Sequence, residues 1–258
     1  MRGTFFVKPC EIIIEIPGEE WSQGTAVSTI GSVNLHQDVP PGFFDHWAIA
    51  LCSIDLRKSK KRDPLAFTII EKVSWKDFNH SGTSSFNSTF NLTPDCLISD
   101  GTWTQGILAG PMGEGDDLYN CGRLDLTIKP WEVVTNILTL FENFKRFKMK
   151  NLKNKGNKLV AKMIPPASTD LGGVDGLDLI FTRNKKDPTT IELTFQFQIK
   201  RLGYEAGTGA VEAKKEKVEF KHILAKGDYF QFGDAINQDK ILAILDETIE
   251  SVKTKSLF

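Results

Sequence analysis

The amino-acid sequence predicts a mainly β protein: two tandem antiparallel β-sandwich lobes, a short connecting helix and a C-terminal helix. Three observations predict it. Thr190–Arg201 (TIELTFQFQIKR) alternates strictly, with Ile191, Leu193, Phe195, Phe197 and Ile199 on one side and Glu192, Thr194, Gln196, Gln198 and Lys200 on the other. A period of two over this length marks an antiparallel strand with one face on a core and the other in water. The first half of the chain is a series of short apolar runs punctuated by Gly and Pro, at the spacing of sandwich strands. The apolar period then changes to that of a helix after Lys129, and again near the C-terminus.

The elements follow in order. Glu11–Ile16 is β-branched and stops at the turn pair Pro17-Gly18. Ala26–Leu35 resumes the strand pattern, and Val39-Pro40-Pro41-Gly42 breaks it. His46–Leu56 is strongly apolar, and the basic cluster Arg57–Arg62 (RKSKKR) separates it from a strand over Ala66–Val73. Asn79–Asn91 is polar and reads as a long loop or ragged edge, before strands over Gly101–Leu108 and Leu124–Ile128. Pro130 suits the first turn of a helix whose Val134, Ile137, Leu138, Phe141 and Phe144 share one face. Leu177–Thr182 and Thr190–Arg201 form a hairpin across Arg183–Pro188, and Val218–Leu224 is a further strand with Lys217, Glu219 and Lys221 on its wet side. A helix over about Asn237–Val252 carries the stripe Ile241, Leu242, Leu245, Ile249 and Val252.

At 258 residues, with 40% hydrophobic and 25% charged residues, the chain has the means for a real core, which excludes the disordered and fibrous classes. The period change divides it into an N-terminal lobe, 1–128, and a C-terminal lobe, 129–258. Net charge is −1, shared as −6 in the first lobe and +5 in the second, so a basic lobe is available to anionic partners. Cys10, Cys52, Cys96 and Cys121 lie far apart with no CxxC, so neither a zinc signature nor a dense disulfide framework is present, and buried reduced thiols are expected. The segment MRGTFFVKPCEIIIEI has no signal-peptide apolar core, and no run approaches the roughly 18 residues of a membrane span. The expectation is a cytoplasmic protein, with the sequons at Asn79, Asn87 and Asn91 chance matches in a polar stretch.

Local signatures of catalysis fail one by one. Gly18–Thr25 has no Lys before its Thr, and Gly207-Thr208-Gly209 lacks the third glycine of a dinucleotide turn. His36, His46, His80 and His222 never fall at i, i+4, and the acidic loops Asp170–Asp178 and Glu114–Asp117 lack the alternation of a calcium loop. No Ser sits in G-x-S-x-G. No metal, cofactor or catalytic residue is expected.

Two features carry functional content. Residues 145–162 hold eight basic side chains and no acid. Lys145, Arg146, Lys148, Lys150, Lys153, Lys155 and Lys158 are the candidate contact for an anionic partner or membrane surface. The same residues suit a helix C-terminus, favoured by the macrodipole, or a basic edge strand guarded by its lysines. Among Trp21, Trp47, Trp75, Trp103 and Trp131, Trp103 in Asp100-Gly101-Thr102-Trp103-Thr104 is the most loop-like and the candidate for stacking on a sugar, whereas Trp47 belongs to the core.

The segment Pro17-Gly18-Glu19-Glu20-Trp21-Ser22-Gln23-Gly24-Thr25-Ala26-Val27 resembles the early strand-turn-strand of arrestin-like proteins. The order Leu124–Trp131, then Val134–Phe147, then Val174–Phe181 before Ile191–Lys200 is similar to that of the bacterial sporulation-control (Spo0M-type) group. The resemblance implies an arrestin-type double sandwich and a non-catalytic adaptor or regulator. Such a protein would bind a protein partner through sandwich edges or concave faces, in cell-envelope or developmental regulation. Two readings stand beside it: a carbohydrate-binding or carbohydrate-active sandwich, and a peripheral membrane-surface regulator using the basic segment. No nucleic-acid partner is expected.

Overall fold

The computed structural model describes residues 1–75, 83–167, 171, 173–184, 186–204, 211–233 and 235–256. The sequon at Asn79, His80, Gly207–Gly209 and Asp170 lie outside the described residues. The chain is mainly β and forms two compact units, Met1–Trp131 and Glu132–Phe258.

The first unit is a sandwich. One sheet has the order β1 (Arg2–Val7), β2 (Cys10–Glu15), β4 (Ala26–Leu35) and β7 (Thr83–Asn91), all antiparallel. The other has the order β3 (Glu20–Ser22), β9 (Gly122–Lys129), β8 (Trp103–Pro111), β5 (Trp47–Asp55) and β6 (Phe67–Ser74). Here β3 pairs with β9 in parallel, while β8 and β6 flank β5 antiparallel. Alternate residues of the first sheet (Ile12, Ile14, Val27, Val33, Phe90) pack against Trp47, Ile49, Leu51, Ile107 and Leu126 of the second. Burying each such side chain contributes about 1.5–3 kcal/mol of hydrophobic stabilisation.

β5 reads as a continuous apolar run because it is covered twice. Trp47, Ile49 and Leu51 face the sandwich core, while Ala48, Ala50, Cys52 and Ile54 pack beneath Leu56, Phe67 and Leu118 on the other side. Leu56 opens the short helix α1 (Leu56–Lys60), which takes in the first residues of the basic cluster and is started by Asp55, whose carboxylate accepts the backbone N–H groups of Arg57 and Lys58.

The stretch Asn79–Asn91, read as a long loop or a ragged edge, is over its described part the edge strand β7. Phe86 and Phe90 point inward from β7 with the small Ser88 between them, so the alternation exists with few apolar residues to show it. Phe86 lies over Gly31, its cross-strand partner: a Cβ there would stand 1.9 Å from the ring, and only glycine leaves the room.

The second unit is one antiparallel sheet with one face covered. Its order is β10 (Lys148–Lys155), β11 (Lys158–Ile164), β12 (Val174–Arg183), β13 (Ile191–Tyr204) and β14 (Val211–Leu224). Helices α2 (Glu132–Lys145) and α4 (Gln238–Ser256) close the inner face of this sheet. Phe141 of α2 meets Phe195 with ring centroids 6.0 Å apart, and Thr248 of α4 shares a 2.9 Å hydrogen bond with the ring of His222 on β14. A short helix, α3 (Lys226–Tyr229), and a two-stranded ribbon of β15 (Phe230–Gln231) and β16 (Ala235–Ile236) lead into α4.

The alternation expected in β13 is present: Ile191, Leu193, Phe195, Phe197 and Ile199 are all buried. The stripes expected for both helices are buried too, apart from Leu242 of α4, which is half-buried, and with one correction on α2. Phe144, placed on the α2 stripe, is 57% exposed, because at ten residues beyond Val134 it stands on the final turn, past the core. The basic residues after α2 do not extend the helix; they form the hairpin β10–β11.

Candidate functional site

β6 is the terminal strand of its sheet, and among the described residues no strand pairs with its outer side. An edge strand offers a row of backbone N–H and C=O groups to another extended chain. Its inner side is fixed by β5, with Ile54 opposite Phe67, Cys52 opposite Ile69 and Ile49 opposite Val73. A register shift between Leu51 and Cys52 sets Ile70 in a bulge.

Ile69, Ile70 and Val73 are 38%, 46% and 39% exposed, and Leu65, just before the strand, is 72% exposed. The charges present do little to guard this edge: Lys72 turns its ammonium to the carbonyl of Met112, 2.7 Å away.

At the start of β6 lies a cleft of about 350 Å³, lined by Arg62, Pro64, Phe67, Asp116, Asp117 and Tyr119 among others. The Arg62 guanidinium stands 5.4 Å from the centre of the Tyr119 ring, and that of Arg123 stands 5.8 Å from the centre of the Phe67 ring. Tyr119 donates its hydroxyl to the carbonyl of Asp63 at 3.0 Å, tying the two walls together.

The carboxylates of the cleft serve its own backbone. Asp116 accepts the N–H of Gly113 at 2.6 Å and Asp117 that of Tyr119 at 3.0 Å, so they shape turns and do not converge on a reacting atom. The surface can grip a chain along an apolar edge and seat a side chain against aromatic and guanidinium groups.

The basic candidates divide by position. Lys145 pairs with Asp246 of α4 and so serves the packing of the second unit. Arg146 sits at a positive φ of 56° where the chain leaves α2. Lys148, Lys150, Lys153 and Lys155 lie on the edge strand β10, and Lys158 opens β11. All five are exposed, and among the described residues none carries an ion pair.

Trp103, read as the most loop-like of the tryptophans, begins strand β8 opposite Asp55 and is half-buried, its backbone N–H held by Asp100 at 2.9 Å. Trp21, Trp47 and Trp75 are core residues. The cysteines are free; burial raises the Cys10 thiol to about 11 and those of Cys52 and Cys121 to about 12, so they are inert protonated groups at neutral pH. Among the described residues no three His, Cys, Asp or Glu side chains gather as a metal site, and no helix is long and apolar enough to cross a membrane.

The strand over Ala66–Val73 was legible from sequence, but its place at the edge was not, because strand order depends on distant partners. One signal was available: Ile69-Ile70 breaks alternation, as residues do where both faces of a strand are half open.

No family model matches the chain, and no curated protein matches it. Among solved structures, the sporulation control protein Spo0M from Bacillus subtilis superposes with a TM-score of 0.59 at 12% identity, over 97% of this chain and 100% of that one. This likeness shows a shared fold, the arrestin-like architecture expected from the sequence resemblance. Salmonella alpha-2-macroglobulin reacted with methylamine (TM-score 0.30, 10% identity, 88% of this chain and 15% of that one) carries no argument at that level. The same holds for a DUF4785 family protein from Legionella pneumophila (TM-score 0.23, 9% identity, 84% of this chain and 47% of that one).

Proposed function

We propose that this chain is a non-catalytic adaptor that takes up an extended segment of a protein partner by strand addition to β6. The observation that carries the proposal is the open edge of β6, with Ile69, Ile70 and Val73 exposed beside a cleft that holds Arg62 and Tyr119. Backbone hydrogen bonds along the edge would supply affinity, and the cleft would select one side chain of the incoming strand. A regulatory setting agrees with the sporulation-control role in the name of Spo0M, and cell-envelope or developmental regulation in the cytoplasm is the setting we infer.

A photo-reactive residue placed at Val73 tests this by cross-linking in lysate of the source organism. Discrete cross-linked proteins are expected, lost by at least about tenfold when Ile70→Lys is added, since a charge on an edge strand opposes pairing. Cross-links that persist in Ile70→Lys, or none at all, overturn the reading. A glycan array run on the same protein examines Trp103: binding lost in Trp103→Ala would replace the adaptor by the carbohydrate reading.

A further inference from the structure

The hairpin β10–β11 gathers lysines on one surface, and the pairing shows how. Lys155 stands opposite Lys158, Lys153 opposite Val160, Asn151 opposite Lys162 and Lys148 opposite Ile164. Successive residues of a strand point to opposite faces, so Lys153 and Lys155 share the outer face and Lys148 would fall on the inner one. The register shift between Met149 and Asn151 changes this: Lys150 is the extra residue, and Lys148 returns to the outer face.

The result is a patch of Lys148, Lys153, Lys155, Lys158 and Lys162, while Leu159, Ala161 and Met163 of the same hairpin are buried on the other side. Asp178 borders the patch opposite Lys162. Further across the sheet the acids are occupied, Glu192 by Lys221 at 4.0 Å and Glu219 by the amide of Gln196 at 2.5 Å.

Exposed apolar side chains adjoin the base of the hairpin. Ile164 is 49% exposed on the lysine face, whereas Met149, opposite the buried Met163, and Phe144, at the end of α2, belong to the helix-covered side. No aromatic residue lies on the lysine face to stack on a base. The patch is two strands wide and, from Lys148 to Lys155, roughly 23 Å long at about 3.3 Å per residue.

We propose that this face docks on an anionic phospholipid surface, the lysines meeting headgroups while Ile164, which shares their face, enters the headgroup boundary. A broad lysine face suits a planar charged surface, and Ile164 on the same face separates a bilayer from a soluble polyanion, which gains nothing from an exposed isoleucine. The inference rests on the second unit alone and stands or falls independently of β6.

The full chain is floated with vesicles of phosphatidylcholine, and with vesicles of equal parts phosphatidylcholine and phosphatidylglycerol. Binding to the anionic vesicles only is expected. It should weaken about a thousandfold in K153Q/K155Q/K158Q/K162Q, at roughly fivefold per lysine near the surface. It should also fade as salt rises from roughly 0.1 to 1 M, where the Debye length falls from about 10 to about 3 Å. Ile164→Gln should weaken it by several-fold. Equal binding to both vesicles, no binding to either, or indifference to the lysine variant overturns the proposal. Capture of poly-glutamate by the same lysines without vesicle binding also overturns it, and assigns the face to an acidic protein.

Discussion

Two edge strands of this molecule are protected differently. β10 carries Lys148, Lys150, Lys153 and Lys155, exposed and without ion pairs among the described residues, and such a strand repels a stray β partner. β6 carries Ile69, Ile70 and Val73 in the open, and its one lysine is turned toward Met112. Leaving one edge bare while the other is guarded is informative. A bare apolar edge is an aggregation liability, and it is the edge on which the proposed strand addition rests.

The contrast extends to the faces. In the first unit both faces of β5 are buried, between the opposing sheet on one side and α1 with its neighbours on the other. In the second unit the helices close one face of β13 and leave the other to Gln196, Gln198 and Lys200.

The largest test of that difference is a pair of lysines. Ala50→Lys places an unpaired charge against Leu108 and Met112 and should cost on the order of 5 kcal/mol. Gln198→Lys, on the corresponding outer face of β13, should change stability by no more than about 0.5 kcal/mol. Urea unfolding of both variants measures this, and similar losses would end the distinction between a face covered twice and a face covered once.

The edges are tested by exchanging their character. Lys153→Thr with Lys155→Val should make the protein self-associate through β10, and Ile70→Lys should suppress whatever association β6 supports. Sedimentation velocity reads both, and a monomeric β10 variant would show that its lysines are not guards.

The smallest effect concerns pH. All four cysteines belong to the first unit, and burial holds the Cys52 thiol near 12 against an ordinary 9.0. The folded state therefore keeps a proton that the unfolded chain releases, so stability is full below about pH 9 and falls as pH rises toward 12. At about pH 10 the loss from Cys52 should be about 1 kcal/mol, seen as a lower urea midpoint than at about pH 8; Cys52→Ala should reduce the shift without abolishing it, because the raised Cys10 and Cys121 thiols act in the same window.

The sequence spoke most clearly where burial is one-sided and large residues do it. β13 has five bulky apolar residues in strict alternation, and the stripe of α4 is equally plain. β7 stayed open between a loop and a ragged edge because its inward set includes Ser88, a residue that packs well without looking apolar. β1 was missed because Phe5 and Phe6 point to opposite sides, Phe6 being 74% exposed and Phe5 packing over Gly122. The lysine patch was visible as a run of charge, yet the bulge that aligns Lys148 with Lys153 is a property of pairing, and a single strand does not announce it.

The parallel pairing of β3 with β9 carries a consequence in time. Glu20–Ser22 waits for Thr127–Lys129, and the buried Gln23 waits as well: its amide donates to the carbonyl of Cys96 and accepts the N–H of Trp131, the latter at 3.1 Å. As the chain leaves the ribosome, the strands near the N-terminus are made early, but their sandwich cannot be latched until more than a hundred further residues have been made. Once Phe67–Ser74 has been made, the apolar edge of β6 is present for the rest of that interval, so the nascent chain carries an open pairing edge before its sandwich is closed.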